Sequence, residues 1–155
     1  MSNLSWGKPT IKLVKLVNGE IPASPTYIDM ENIVAGSTQL VPTKGAKREA
    51  PLEGGGNADV AYAKTTYQLV TEIYATKGAT KPVADDEGVI LDHYAVMLQP
   101  EDASVEGIEI GKAVLSVEDS YSAEIGKKWK YTADALQPET GKAVEHKVIT
   151  FPTTP

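Results

Sequence analysis

The sequence predicts an all-β fold, an antiparallel sandwich or barrel with at most one short helix, on three observations. Apolar and polar residues alternate with a period of two in several stretches, and glycines and prolines punctuate those stretches. No window of about twelve residues or more carries a sustained 3.6-residue apolar period. The 155 residues and their 41% hydrophobic content suit a single domain, 1–155, with one ordinary core.

The clearest elements form a hairpin. Ala113 to Tyr121 sets Leu115, Val117 and Tyr121 against Ser116, Glu118 and Ser120. Lys127 to Ala135 sets Trp129, Tyr131 and Ala133 against Lys128, Lys130, Thr132 and Asp134. The connector Ser122–Gly126 ends in the residue that best tolerates positive φ. Thr65 to Ala75 is rich in Thr, Tyr, Val and Ile and puts Tyr67, Leu69 and Ile73 on one side. Shorter strands are expected at Leu91–Leu98 and Val144–Phe151, bounded by Pro100 and Pro152. Thr10 to Val17 is apolar on both faces, with Ile11 and Leu13 on one and Val14 and Leu16 on the other. Such a strand needs a second covering surface, which another subunit could supply, or a bulge that swaps its faces. Asp85-Asp86-Glu87 either opens a short helix through Val89, Ile90 and His93 or forms an acidic turn before a strand. Gly36 to Ala58, roughly twenty residues with Pro42, Pro51 and Gly54-Gly55-Gly56, reads as one long loop, and loops of that length are usually functional or disordered. Pro152–Pro155 reads as a short extended tail.

Composition narrows the function. There is no cysteine, so disulfides, thiolate metal sites and cysteine nucleophiles are excluded. The net charge of -6 opposes tight gripping of nucleic-acid phosphates. No apolar run approaches the roughly 18 residues of a membrane-spanning helix. The opening Met1-Ser2-Asn3-Leu4-Ser5-Trp6 lacks the basic and apolar regions of a signal peptide, which predicts synthesis and initial residence in a cytoplasm.

Catalytic inventory is poor. His93 and His146 are the only histidines, and both read as structural residues on strands. No G-x-S-x-G elbow occurs, and no Lys-Ser or Lys-Thr follows the glycine triplet as a phosphate loop demands. Gly54-Gly55-Gly56-Asn57-Ala58-Asp59 is partly similar to a calcium-binding repeat, but Asn57 stands where glycine belongs and the motif occurs once. Three acids at Asp85–Glu87 suit a hard cation chemically, although adjacent acids on a turn are ordinarily just solvated. Trp129 and Tyr131 could stack on a sugar, but their alternation with Lys and Thr makes them core residues. No catalytic, metal-binding or cofactor-binding residue is assigned, and the protein is expected not to be an enzyme.

The run Gly111–Ser122 followed by Gly126–Leu136 resembles the closing hairpin of bacteriophage tail tube proteins, a family related to the tube proteins of type VI secretion. There a strand ends in an acidic-serine-tyrosine turn, as at Glu118-Asp119-Ser120-Tyr121, and the next ends in a leucine, as at Leu136. The opening strand, the long mixed loop and the strand at Thr65–Ala75 follow in the family's order. The family commonly carries a helix outside its barrel, and the only place this sequence offers for one is Asp85. The resemblance implies a β-sandwich or barrel that joins copies of itself into rings, commonly of six, stacked into a tube. It further implies a virion-tail location after assembly in the bacterial cytoplasm. Sheath, tape measure, baseplate and tail terminator proteins would be partners, and DNA would pass through a lumen without specific binding or any membrane. Contacts between subunits or stacked rings are then expected at Leu13 and Val14 and, in the loop, at Lys44, Lys47, Arg48, Leu52 and Glu53. Three other readings share the composition: a secretion or contractile-injection tube, a monomeric sandwich of immunoglobulin-like or carbohydrate-binding type, and a small enzyme working with Asp and Glu alone, as glycosidases do. The monomeric sandwich predicts an exposed Trp129, and no carboxylate pair has a recognisable catalytic setting.

Overall fold

Every regular element in the computed structural model, which describes residues 7–78, 80–138 and 141–151, is a β-strand, and every pairing is antiparallel. The strands are β1 (Thr10–Lys15), β2 (Tyr27–Asp29), β3 (Gln39–Thr43), β4 (Lys47–Pro51) and β5 (Asn57–Tyr62). They continue with β6 (Thr66–Tyr74), β7 (Val89–Gln99), β8 (Gly107–Ser122), β9 (Gly126–Ala135) and β10 (Glu145–Lys147). The tail expected at Pro152–Pro155 lies outside the described residues.

One sheet runs in the order β2-β1-β7-β8-β9-β6-β3. Strand β10 joins β8 at Gly107–Glu109, filling the stretch of that edge which β9 leaves uncovered. The sheet rolls up: Ile11 and Leu13 of β1 meet Leu69 and Thr71 of β6 around one small internal space, although three strands separate them in the sheet. Residues 30–34 bridge the seam. Met30 N–H donates to Ile11 C=O at 3.1 Å beside β1, and Val34 N–H donates to Glu72 C=O at 2.8 Å beside β6.

The predicted hairpin is β8–β9, closing between Ser122 and Gly126, whose φ of 97° suits only glycine comfortably. Of the residues the alternation names, Leu115, Val117, Trp129, Tyr131 and Ala133 point inward, whereas Tyr121, beside the turn and beyond the core, is 78% exposed. Upstream, a register irregularity in the β7–β8 ladder falls across Gly111-Lys112, and there the inward set of β8 changes parity from Ile110 to Ala113. Strands β6 and β7 lie within two residues of their expected bounds.

No helix forms among the described residues, at Asp85 or elsewhere. Glu87 and Gly88 both take positive φ, 50° and 89°, and Asp86 and Val89 exchange backbone hydrogen bonds at 2.9 and 3.0 Å around them. This is a two-residue hairpin turn into β7, favoured over a helix because Gly88, Val89 and Ile90 are poor helix formers.

Strand β1 is apolar on both faces and is not bulged in its pairing with β7. Ile11 and Leu13 enter the main core, while Val14 and Leu16 join Ala95 and Met97 in a second cluster outside the roll. Tyr27, Ile149 and Phe151 pack on that cluster, so the second cover comes from the chain itself. The strand expected at Val144–Phe151 is correspondingly short. After β10 the chain leaves the ladder, and Ile149 N–H donates to Gln99 Oε1 at 2.7 Å. Gln99, 6% exposed, also donates from Nε2 to Val105 C=O at 2.8 Å, tying this segment to the loop after β7.

Leu13 is 3% exposed and Val14 1%, so truncation should create cavities rather than weaken a surface. Leu13→Ala is expected to cost roughly 2–5 kcal/mol, read from the urea midpoint at unchanged slope. An aspartate at either position should abolish the folded β-type circular dichroism spectrum rather than leave a folded, non-assembling monomer.

Candidate functional site

The segment expected to be one long loop is mostly β-structure. Strands β3 and β6 pair up to Thr43↔Thr66, and β4 and β5 resume in the same registration at Lys47↔Tyr62. The four strands thus form one long hairpin interrupted at residues 44–46 and 63–65. The interruption needs Gly45: a Cβ there would run into the carbonyl of Ala63, whose N–H in turn donates to Ala46 C=O at 2.8 Å. Beyond this point the hairpin leaves the roll, and every residue of β4 and β5 is exposed. At its tip Gly54, Gly55 and Gly56 all have positive φ, and Leu52 N–H donates to Gly56 C=O at 2.9 Å. The triplet therefore builds a turn that side chains would strain.

Alternation along the arm sorts its side chains. Lys47, Glu49, Val60 and Tyr62 share one face, and Arg48, Ala50, Asp59 and Ala61 share the other. Lys44 at the base lies 4.2 Å from the Tyr62 ring centre, a cation–π contact that holds the root of the arm. Lys47 pairs with Glu49 at 2.5 Å, but both are solvent-exposed and the pair contributes little. Leu52, Val60 and Tyr62 are 55%, 40% and 51% exposed. Two-stranded ribbons are marginal in water on their own, so an arm that leaves apolar side chains this exposed is suited to a partner surface.

Of the expected contact residues, Lys44, Lys47, Arg48, Leu52 and Glu53 all fall on this arm or its root. Leu13 and Val14 do not join them, since the chain's own clusters enclose both. The spacing of charges marks the arm but does not set Val60 and Tyr62 beside Lys47 and Glu49, because a strand is expected only from near Val60 onward and its partner β4 falls within the expected loop.

A groove of about 700 Å³ opens at the end of the roll from which the arm springs. Leu40, Leu69, Leu98 and Ile108 give it apolar walls, and Lys8, Glu106 and His146 stand at its edge. His146 is on β10 and His93 on β7, whose backbone carbonyl accepts a bond from Leu16 N–H at 3.0 Å. Among the described residues no three His, Cys, Asp or Glu side chains converge as a metal site would require. Trp129 is 6% exposed and Tyr131 3%, with the Tyr131 hydroxyl donating to Val83 C=O at 2.9 Å, so neither presents a stacking platform.

The acidic run at the turn is structural. Asp85 accepts from Lys81 Nζ and from Gly88 N–H, both at 2.6 Å, and Lys81 also reaches Asp119 at 3.0 Å. The Lys81 ammonium, and then the Gly88 amide, hold the Asp85 carboxyl below its ordinary range; the hydrogen bond to Asp85 raises Lys81 in return. Comparison of the chain with protein-family models and with curated proteins finds no match.

These two shifts set the sign of a pH dependence. A depressed carboxyl stabilises the fold above its unfolded value, near about 4, and the contribution is lost as pH falls through the lower folded value. A raised ammonium stabilises it below its unfolded value and fails only as strongly alkaline pH passes the raised one. Asp85→Asn should therefore lower the melting temperature at neutral pH and flatten the acid limb of a calorimetric melting-temperature profile.

Proposed function

We propose that this protein is a structural subunit that assembles with copies of itself into a tube, and specifically a tail tube subunit of a bacteriophage. Rings, probed first for six-fold symmetry, would stack into a conduit through which DNA passes without being gripped. The single observation carrying this reading is the β4–β5 arm, a ribbon whose every residue is exposed and which presents Val60 and Tyr62, with Leu52 at its tip, to solvent. The rolled antiparallel sheet is compatible with it, and the family resemblance of the closing hairpin supplies the particular assembly. No helix forms among the described residues, so on this reading the resemblance is to a helix-poor branch of that family. Net negative charge, repeated in every copy, would give a conduit that repels a polyanion. Sheath, tape measure, baseplate and terminator proteins are the partners this reading entails. A secretion-system tube shares the architecture, and neighbouring genes distinguish the two.

Electron microscopy of the concentrated protein, in negative stain, is expected to reveal rings or hollow tubes. Leu52→Asp combined with Tyr62→Asp should leave the melting temperature within a few degrees of the parent and suppress those assemblies, since both side chains are exposed in the single chain. Tubes formed undiminished by that variant would remove the arm from the assembly.

A further inference from the structure

We propose that the arm of one copy docks on the opposite end of the roll of another, where Val17, Val89 and Leu91 are exposed between two tight, acidic turns. The inference rests on the self-assembly reading above and names the surface that receives the arm.

Register fixes the two ends. The arm leaves the sheet beyond Thr43↔Thr66, and β6 runs away from it to Tyr74. Antiparallel pairing through β9 and β8 then puts Val89 of β7 and Lys15 of β1 at the end away from the arm, with Leu98 and Thr10 at the near end. Past Lys15 the pairing continues, since Leu16 N–H donates to His93 C=O at 3.0 Å, and this sets Val17 alongside Asp92 and Leu91. Val17, Val89 and Leu91 are all exposed, Leu91 to 88%, at a place where the β7–β8 ladder is irregular between Val89 and His93. Two short turns border them. Val17 and Glu20 exchange backbone hydrogen bonds at 2.9 and 3.1 Å, as Asp86 and Val89 do at 2.9 and 3.0 Å. The apolar residues are thus held by backbone geometry before a partner arrives, which limits the ordering that binding costs.

Charge selects the occupant. Residues 17–21 and 86–92 carry Glu20, Asp86, Glu87 and Asp92 and no Lys or Arg, and only Asp92 is offset, by Lys15 at 3.3 Å. The arm and its root, residues 44–64, carry Lys44, Lys47, Arg48 and Lys64 against Glu49, Glu53 and Asp59, a positive balance in a chain of net charge -6. Exposed apolar residues on both surfaces supply the affinity, and the exposed charges supply orientation and salt sensitivity. A contact between one end and the other is heterologous, so copies add head to tail and each leaves a further arm and a further receiving end.

The chain has no cysteine, so introduced thiols report position without background. Full-length Leu52→Cys and Leu91→Cys variants, mixed at high concentration with a short bismaleimide, are expected to give a mixed dimer. Its yield should exceed that of either variant alone several-fold and fall as salt rises. Adding Val89→Asp to the Leu91→Cys variant should leave its melting temperature within a few degrees and weaken the cross-link several-fold. Preferential cross-linking of Leu52→Cys to Leu40→Cys would overturn the proposal by assigning the arm to the groove at the near end. So would a predominance of Leu52→Cys dimers joined tip to tip. Rings or tubes without the mixed dimer would sink this contact and spare the tube reading, whereas the mixed dimer without rings or tubes would do the reverse.

Discussion

The molecule depends on β8 keeping its register against neighbours on both edges. Its sixteen residues pair with β7 along one edge and with β10 and then β9 along the other. A pleated strand turns alternate residues to opposite faces, so an uninterrupted β8 with Ile110 inward would also send Lys112, Val114 and Ser116 inward. The irregularity across Gly111-Lys112 prevents this, and Ile110 and Ala113 both reach 0% exposure on the same side. Lys112 is thereby kept out of the core, and the two halves of β8 serve one interior. The rolled shape follows, because bulges add twist and bend to the strand that carries them.

The second constraint is that β1 must be covered twice. Ile11 and Leu13 are satisfied by the roll, but Val14 and Leu16 need material outside it. The segment after β10 supplies that material, assisted by Tyr27. Phe151 and Tyr27 meet edge to face at 6.2 Å, and Lys12 Nζ lies 5.1 Å from the Phe151 ring centre, so the ammonium rests over the rings while pairing with Asp29 at 3.0 Å. The outer layer is thus a small amphipathic cap, apolar beneath and charged at its edge.

Legibility in the sequence followed locality. The β8–β9 hairpin could be read to its turn residue because alternation, turn chemistry and propensity all agree there. The double-faced β1 was visible as a pattern, but its cover lies far along the chain, and nothing local distinguishes a distant segment from another subunit. Beyond a strand expected from near Val60, the arm is not legible as structure, for a physical reason. With every residue exposed, β4 and β5 show no contrast between a buried and a solvated face, and periodicity is the signal on which strand reading rests. The charges and glycines still marked the right stretch. The groove was illegible, since its walls come from the chain entry, the seam, β3, β6, β7, β8 and β10.

The cap over β1 makes one apolar patch depend on a short segment that no ladder holds. Ile149 and Phe151 follow β10, beyond its pairing with β8, and pack on Val14, Leu16, Ala95 and Met97. Were that segment to lift away, the sheet would keep its pairings while baring a hydrophobic label of the kind that chaperones and proteases read.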